Sequence, residues 1–239
     1  MVNAMNPSRG NSTNTGSPIE RKIKLGLFEW IRFQCLSVLF EFILSFQMRD
    51  ASWKEPLFAS LGSNPHCRIL SFGRGALATA RALAVRQPGG SVIALDSHPR
   101  PIKRVFRRLV QNQMPNVTTV EESESESLPF EVGFFDKVVL VLAFHSRVPE
   151  KKLCIAKEML RVLRHGGMLH IAAYDKPSLP EERSLLAISR YLSGATAADP
   201  HLDGSWIKIL TKAGFAGIRR QASCSVVGGR ISVVRARKP

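Results

Sequence analysis

A short glycine-bearing stretch, Ser71-Phe72-Gly73-Arg74-Gly75-Ala76-Leu77, and a lone acid about 20 residues beyond it, Asp96, are the residues of this sequence best suited to chemistry. Glycines let backbone N–H groups approach a ligand closely, and a helix opening after the second one presents its positive end. A tight strand-to-helix turn needs the same glycines for steric reasons alone. Asp96 closes the run Val92-Ile93-Ala94-Leu95, where a carboxylate can accept both hydroxyls of a ribose. It can equally cap the helix that follows, although Ser97 is the more natural cap. His145, in Leu142-Ala143-Phe144-His145-Ser146, titrates near neutrality when unperturbed and is the candidate general base. The alternative is a histidine that only hydrogen-bonds its own loop. Tyr174 and His98 are weaker candidates, and His165 belongs to a helix-ending turn before Gly166-Gly167.

The elements that must position these residues begin beyond Leu61, where short β-rich runs alternate with helical patterns. CRILSF, SVIALD, VTTV, KVVLVLAF and MLHIAAY read as strands. ALATARALAVRQ, PRPIKRVFRRLVQNQM and the stretch through Cys154, Met159, Leu160 and Leu163 read as helices. Near-continuous apolar strands alternating with helices call for a doubly wound, mostly parallel α/β sheet covered on both faces. GIRRQASCSVV and RISVVRAR, separated by Gly228-Gly229, predict a hairpin and an antiparallel edge. In such a sheet ligands sit beyond the C-terminal strand ends where strand order reverses, near the first strand and its turn.

Ahead of this lies a polar stretch, residues 1–19, expected to be a mobile tail, and then a helical segment over 20–60. Phe28, Ile31, Cys35, Val38, Leu39, Phe42 and Phe46 form one helical stripe, and Phe33, Leu36, Phe40 and Ile43 form another on the opposite side. The expectation is burial of both stripes within the monomer. The alternatives for one of them are a membrane surface or a second subunit in a homodimer. Arg21, Lys22 and Lys24 ahead of this run imitate an export signal, but Glu29, Arg32 and Glu41 interrupt it, so a spanning helix is not expected. The four cysteines, with no CxxC pair and no clustered histidines, read as free thiols in a reducing, cytoplasmic compartment, with no metal site. The formal charge of +15 predicts attraction to polyanions, either an anionic bilayer at the inner membrane face or nucleic acid.

Six stretches in order, RILSFGRGALA, SVIALDSHP, VTTVEESESESLPF, FFDKVVLVLAFHSRVPE, EMLRVLRHGGMLHIAAYD and WIKILTKAGFAGIRR, resemble the class I S-adenosylmethionine-dependent methyltransferases. Within that family the likeness is to the small-molecule branch that includes the ubiquinone and menaquinone C-methyltransferases. The resemblance implies a Rossmann-like fold with seven strands over 61–239 and a substrate cover at about 177–206. It implies S-adenosyl-L-methionine as cofactor, with Gly73 and Gly75 beside its methionine part, together with Ser71, Arg74 and Leu142. Asp96 and Ser97 would serve the ribose, and Ser123 or Glu124 the adenine. Ser71 stands where the family usually has an acid, and Leu77 where a third glycine is common, which puts cofactor affinity in question. Arg74 would pair with the cofactor carboxylate or point to solvent. The implied function is methyl transfer to a small apolar or lipid-like acceptor. Two readings compete: a non-catalytic regulator of the same fold, and a nucleic-acid methyltransferase using Arg100, Lys103, Arg104, Arg107 and Arg108 with the tail Arg230, Arg235, Arg237 and Lys238. Against the last stand the lack of a DPPY-type tetrapeptide after the fourth strand and of an appended RNA-binding module.

Overall fold

A computed structural model describes residues 26–62, 64–96, 114–121 and 127–239. The tail 1–19, Ser97, His98, Ser123, Glu124 and nearly all of the helix expected over 99–114 lie outside the described residues. Seven strands form one sheet: β1 (Arg68–Gly73), β2 (Ser91–Asp96), β3 (Val117–Glu121), β4 (Phe135–Val141), β5 (Leu163–Tyr174), β6 (Ala216–Val226) and β7 (Gly229–Arg237). Their order is β3-β2-β1-β4-β5-β7-β6. The first five run parallel, and β7 pairs antiparallel with both β5 and β6. The hairpin turns at Gly228 (φ +71°), a left-handed position that glycine adopts freely. The last strand in sequence is therefore interior, and β6 forms the edge.

Helices cover both faces. On one face lie α1 (Leu27–Gln47), α2 (Lys54–Leu61), α3 (Ala76–Arg86) and α5 (Ser184–Ser193); on the other lie α4 (Pro149–Val162) and α7 (Lys208–Ala213). Between α5 and α7 run α6 (Ala195–Leu202) and a single 3-10 turn at Ser205–Ile207. Alternation along each strand divides the core in two. Ile69, Val139, Val141, Ala172 and Val233 pack towards α1, α2 and α3, whereas Leu70, Leu140, Ile171 and Val234 pack towards α4 and α7.

One expectation is corrected by α1. Phe40 and Leu44 are buried, with Phe33, Leu36 and Ile43 packed beside them, but the opposite stripe is not covered. Val38 is 68% and Phe42 69% exposed, and Trp30, Ile31, Leu39 and Phe46 are exposed as well. A helix has one face to give to a sheet, so its second apolar stripe stays outside. No helix among the described residues is long and apolar enough to cross a membrane. The four cysteines are free, and no group of potential metal ligands occurs among the described residues.

Candidate active site

Strand order reverses between β1 and β4, and the glycine turn sits there at the C-terminal strand ends. Gly73 ends β1 at φ +100°, and a side chain on it would lie 2.3 Å from the Val141 carbonyl oxygen. The close approach lets the Arg74 N–H donate to that oxygen at 2.8 Å, locking the turn to β4. Gly75 (φ +66°) follows as the N-cap of α3 and brings no side-chain cap to the helix's first turn. Across the reversal point Leu142 adopts φ +45°, the one non-glycine residue at positive φ among the described residues, with its N–H donating to Ala172 at 2.8 Å. Strain of that kind in a branched side chain persists where the surroundings over-determine it, and it concentrates at functional sites. Asp96 ends β2 one strand away, with Leu95 opposite Phe72 in register.

Two first-motif residues have other duties. Ser71 is fully buried, and its hydroxyl donates to the Ala76 carbonyl at 2.9 Å. It fixes the turn from inside, tying the end of β1 to the first residue of α3. Arg74 neither points freely to solvent nor awaits a carboxylate: its guanidinium makes a two-pronged bond to Glu41 of α1 at 2.9 and 2.8 Å. Leu77 is buried in the same cluster as Phe40 and Leu44.

The structure brings α1 onto the glycine turn itself, whereas the sequence reading placed the N-terminal helix, together with residues 177–206, around the acceptor. Besides Glu41 on Arg74, Met48 Cε lies 2.6 Å from where a Gly75 side chain would begin. Gln47 is completely buried: its amide accepts from the Tyr174 hydroxyl, at the end of β5, and donates to the Val227 carbonyl at 2.5 Å. A glutamine placed to finish an apolar helix was the one signal in the sequence. Desolvation pushes the Tyr174 hydroxyl well above the usual phenol range, so it stays protonated and donating.

His145 lies just past β4, 2% exposed, its ring 4.9 Å edge-on from Tyr174 and 5.7 Å from Phe40. Burial first, then electrostatic coupling to His201 and to the cations Arg74, Lys152 and Arg147, holds it well below the usual imidazole range, so it is neutral at pH 7. Its Nδ1 is buried with no hydrogen-bond partner among the described residues. A neutral, unsatisfied acceptor or donor in a dry setting suits a ligand contact. Nearby, Lys152 donates to the Ala197 carbonyl at 2.7 Å and is pushed down to about 8 by desolvation. Asp175 ties the end of β5 down by accepting from Trp206 Nε1 at 3.1 Å, Ser232 at 2.6 Å and Arg220 at 2.5 Å. His165 bonds the Pro239 carbonyl through Nδ1 at 2.9 Å, a structural role as expected.

A family model described as a methyltransferase domain matches residues 69–167. A solved structure titled "PigF with SAH" superposes with a TM-score of 0.64 at 19% identity, covering 92% of this chain and 65% of that one. A putative methyltransferase from Bacillus halodurans C-125 gives 0.54 at 19% identity, covering 77% and 97%. By matched domain and fold, residues 69–167 form a methyltransferase domain within the Rossmann-like architecture of these solved structures, and the chain resembles the class I S-adenosylmethionine-dependent methyltransferases. Within the class it resembles the ubiquinone/menaquinone biosynthesis C-methyltransferases named UbiE. That of Ectopseudomonas mendocina (strain ymp) is 30% identical over 129 residues, 54% of this chain and 50% of that protein. That of Stutzerimonas stutzeri (strain A1501) is 26% identical over 207 residues, 78% of each. In several such alignments the chain spans only about half of the relative's length, 50% to 57% in three of them.

S-adenosylmethionine is the cofactor of this class, and the turn fits it. The side-chain-free cradle at Gly73 and Gly75, the uncapped start of α3 and the unsatisfied His145 Nδ1 gather at one end of the sheet. What departs from a ready-made cleft is α1, whose Glu41 and Met48 rest on the turn itself.

Proposed function

We propose that this chain transfers a methyl group from S-adenosylmethionine to a small apolar acceptor of the quinone or quinol type. The observation that carries the reading is the glycine turn locked to β4 at the reversal point, with left-handed Gly73, Gly75 and Leu142 side by side. The acceptor class is supported by the likeness to ubiquinone/menaquinone biosynthesis C-methyltransferases and by the apolar side chains that α1 and α5 bring, Phe33, Phe40 and Tyr191 among them.

When bound, the cofactor supplies an electrophilic methyl carbon on a sulfonium. The backbone of Gly73 and Gly75 would hold its methionine part and Asp96 its ribose. The chain's remaining task is to orient the nucleophile and exclude water. Phe40 and Leu44 do the excluding. His145 Nδ1, neutral and otherwise unpaired, takes a hydrogen bond from an acceptor hydroxyl or accepts its proton. Entry requires α1 to move off the turn, and the Arg74–Glu41 bridge is a modest tether: both side chains are partly exposed, so it holds by about 0–1 kcal/mol.

The test is titration calorimetry with S-adenosylhomocysteine on the full chain and on Asp96→Ala. The expected outcome is saturable binding that weakens by about 1 to 3 kcal/mol in the variant. No heat at millimolar ligand overturns the enzymatic reading, and an unchanged affinity removes Asp96 from the site. Labelled methyl transfer to a demethylated quinol then tests the acceptor.

The exposed stripe of α1 supports peripheral contact with a bilayer, where such an acceptor resides. It would equally serve a second copy of the chain.

A further inference from the structure

Across the sheet from the glycine turn, with His170 in the strand row of Val139 and Ser71, a cleft of about 410 Å³ opens between the end of α2 and the strands β5, β7 and β6. Its walls include Ser60, His170, Arg219, Arg235 and Arg237, and no acidic residue is among them.

The register explains how these cations came together. His170 of β5 lies directly opposite Arg235 of β7, and Arg235 lies directly opposite Arg219 of β6. Three basic side chains thus form one row across three strands, with Arg237 in the adjacent row opposite Met168. Lys137 of β4 also stands opposite Met168, two residues before Val139 on the strand face that turns towards α2. Like charges placed directly opposite on neighbouring strands destabilise a sheet. Moreover, the row depends on an irregularity. From the Ala216–Arg237 pair, an unbroken hairpin would bring Ile218, not Arg219, opposite Arg235; a register shift between Ala216 and Arg219 moves the arginine into line. A second shift between Arg220 and Ala222 follows it. Bulges of this kind re-aim a side chain, and here the side chain is a cation aimed at cations.

Two buried donors or acceptors in the row have no partner among the described residues, His170 Nε2 and Arg235 Nε. His170 is 1% exposed. Its other nitrogen meets Ser60 Oγ at 2.8 Å, and because that hydroxyl donates to the Leu57 carbonyl at 2.7 Å, it is His170 Nδ1 that carries the hydrogen. Nε2 is left with a bare lone pair beside an idle guanidinium N–H, an arrangement complete only when something with both oxygens and an exchangeable proton enters.

We propose that this cleft binds a phosphoryl group, as inorganic phosphate or as a phosphomonoester. The three arginines supply converging charged donors for its oxygens, the geometry for which guanidinium is suited, and His170 Nε2 receives the P–OH proton. The site does not rest on the methyltransferase reading.

Calorimetric titration of the full chain with inorganic phosphate at low ionic strength tests it, alongside Arg235→Gln and Arg219→Gln. The second variant lies on the exposed edge strand and leaves the core untouched. The expected result is saturable binding, weakened about tenfold or more in Arg235→Gln and less in Arg219→Gln, with a shift of the His170 imidazole nitrogens in nitrogen-15 NMR. Sedimentation with phosphatidic acid vesicles against phosphatidylcholine vesicles separates the sources. Vesicle binding lost in both variants, with no response to free phosphate, assigns the phosphoryl group to a lipid. No binding of either probe, or affinities equal in wild type and both variants, overturns the proposal. Binding of S-adenosylhomocysteine is expected to be the same in all three proteins.

Discussion

Fully buried and with its Nδ1 2.6 Å from the Tyr174 carbonyl oxygen, His201 is held down to about 3 by desolvation and then by Lys152, against the pull of that carbonyl. His170 is likewise pushed to about 3, by desolvation and by Lys137 and Arg235. A histidine whose folded value lies below its unfolded one, 6.5, binds fewer protons in the native state, so stability falls as pH drops from 6.5 towards 3. Glu182 works in the same direction but lower. Burial raises its carboxyl, yet the Ser225 hydroxyl, the Ser178 N–H, Arg230 and the Leu179 N–H bring it to about 2, so its contribution fades only below 4.5. Between pH 6.5 and 4.5 the histidines dominate, each with a slope of up to about 1.4 kcal/mol per pH unit. Urea unfolding at pH 7.0, 6.0 and 5.0 checks this. His201→Asn, which keeps a donor for Tyr174, is expected to lose about one proton's worth of slope, and an identical slope would place the acid sensitivity elsewhere. Of the residues on which this rests, none announced its role in the sequence. The glycine turn and the strand that Asp96 closes were legible because such signals are local, whereas the partners of Ser71 and Arg74, Ala76 and Glu41, are chosen by how the chain closes.

The helix α1 shows what periodicity can and cannot decide. Two apolar stripes identify a helix, but hydrophobicity alone does not choose between them. The choice is made by shape at the sheet and by one polar contact, Gln47 with Tyr174, between residues far apart in the chain. Phe40→Ala, on the packed side, is expected to cost about 3 kcal/mol or more in urea unfolding, because it leaves a cavity beside His145 and Leu77. Phe42→Ala, two residues on and 69% exposed, is expected to stay within about 0.5 kcal/mol. Equal losses at both positions would mean that the outer stripe is covered in solution, by a second copy of the chain. The strands were readable for the opposite reason. Parallel strands buried on both faces are apolar throughout, so β1, β4 and β5 stand out whatever packs on them. Eight-residue α2 falls within the stretch 20–60 read as helical but was not distinguished as a separate helix, since Pro56 sits inside it and two turns are too short for a periodic signal.

At the scale of the whole molecule, sequence order and spatial order part company at the C-terminus. The last strand, β7, is not the edge but the link between β5 and β6, and it carries Ile231 and Val233 into one core layer and Val234 and Ala236 into the other. Its end is stitched to the first residues of β5: Lys238 N–H donates to Gly167, and Gly166 N–H donates to Lys238, at 2.9 and 3.1 Å. Without this segment β6 has no partner and β5 presents a bare edge, while both core layers lose apolar side chains. These contacts are long-range, so the sheet cannot close until the chain is complete. A chain ended after Val227 is therefore expected to lose cooperative thermal unfolding and near-ultraviolet circular dichroism while keeping much of its helical far-ultraviolet signal, the behaviour of a collapsed but unpacked state. Retention of a sharp transition near the full chain's midpoint would show instead that β1 to β5 with their helices are a self-sufficient unit. The proposed phosphoryl cleft, which takes Arg235 and Arg237 from β7, would then vanish while the glycine turn kept its affinity for S-adenosylhomocysteine, so the same truncation measures how far the two sites depend on one another.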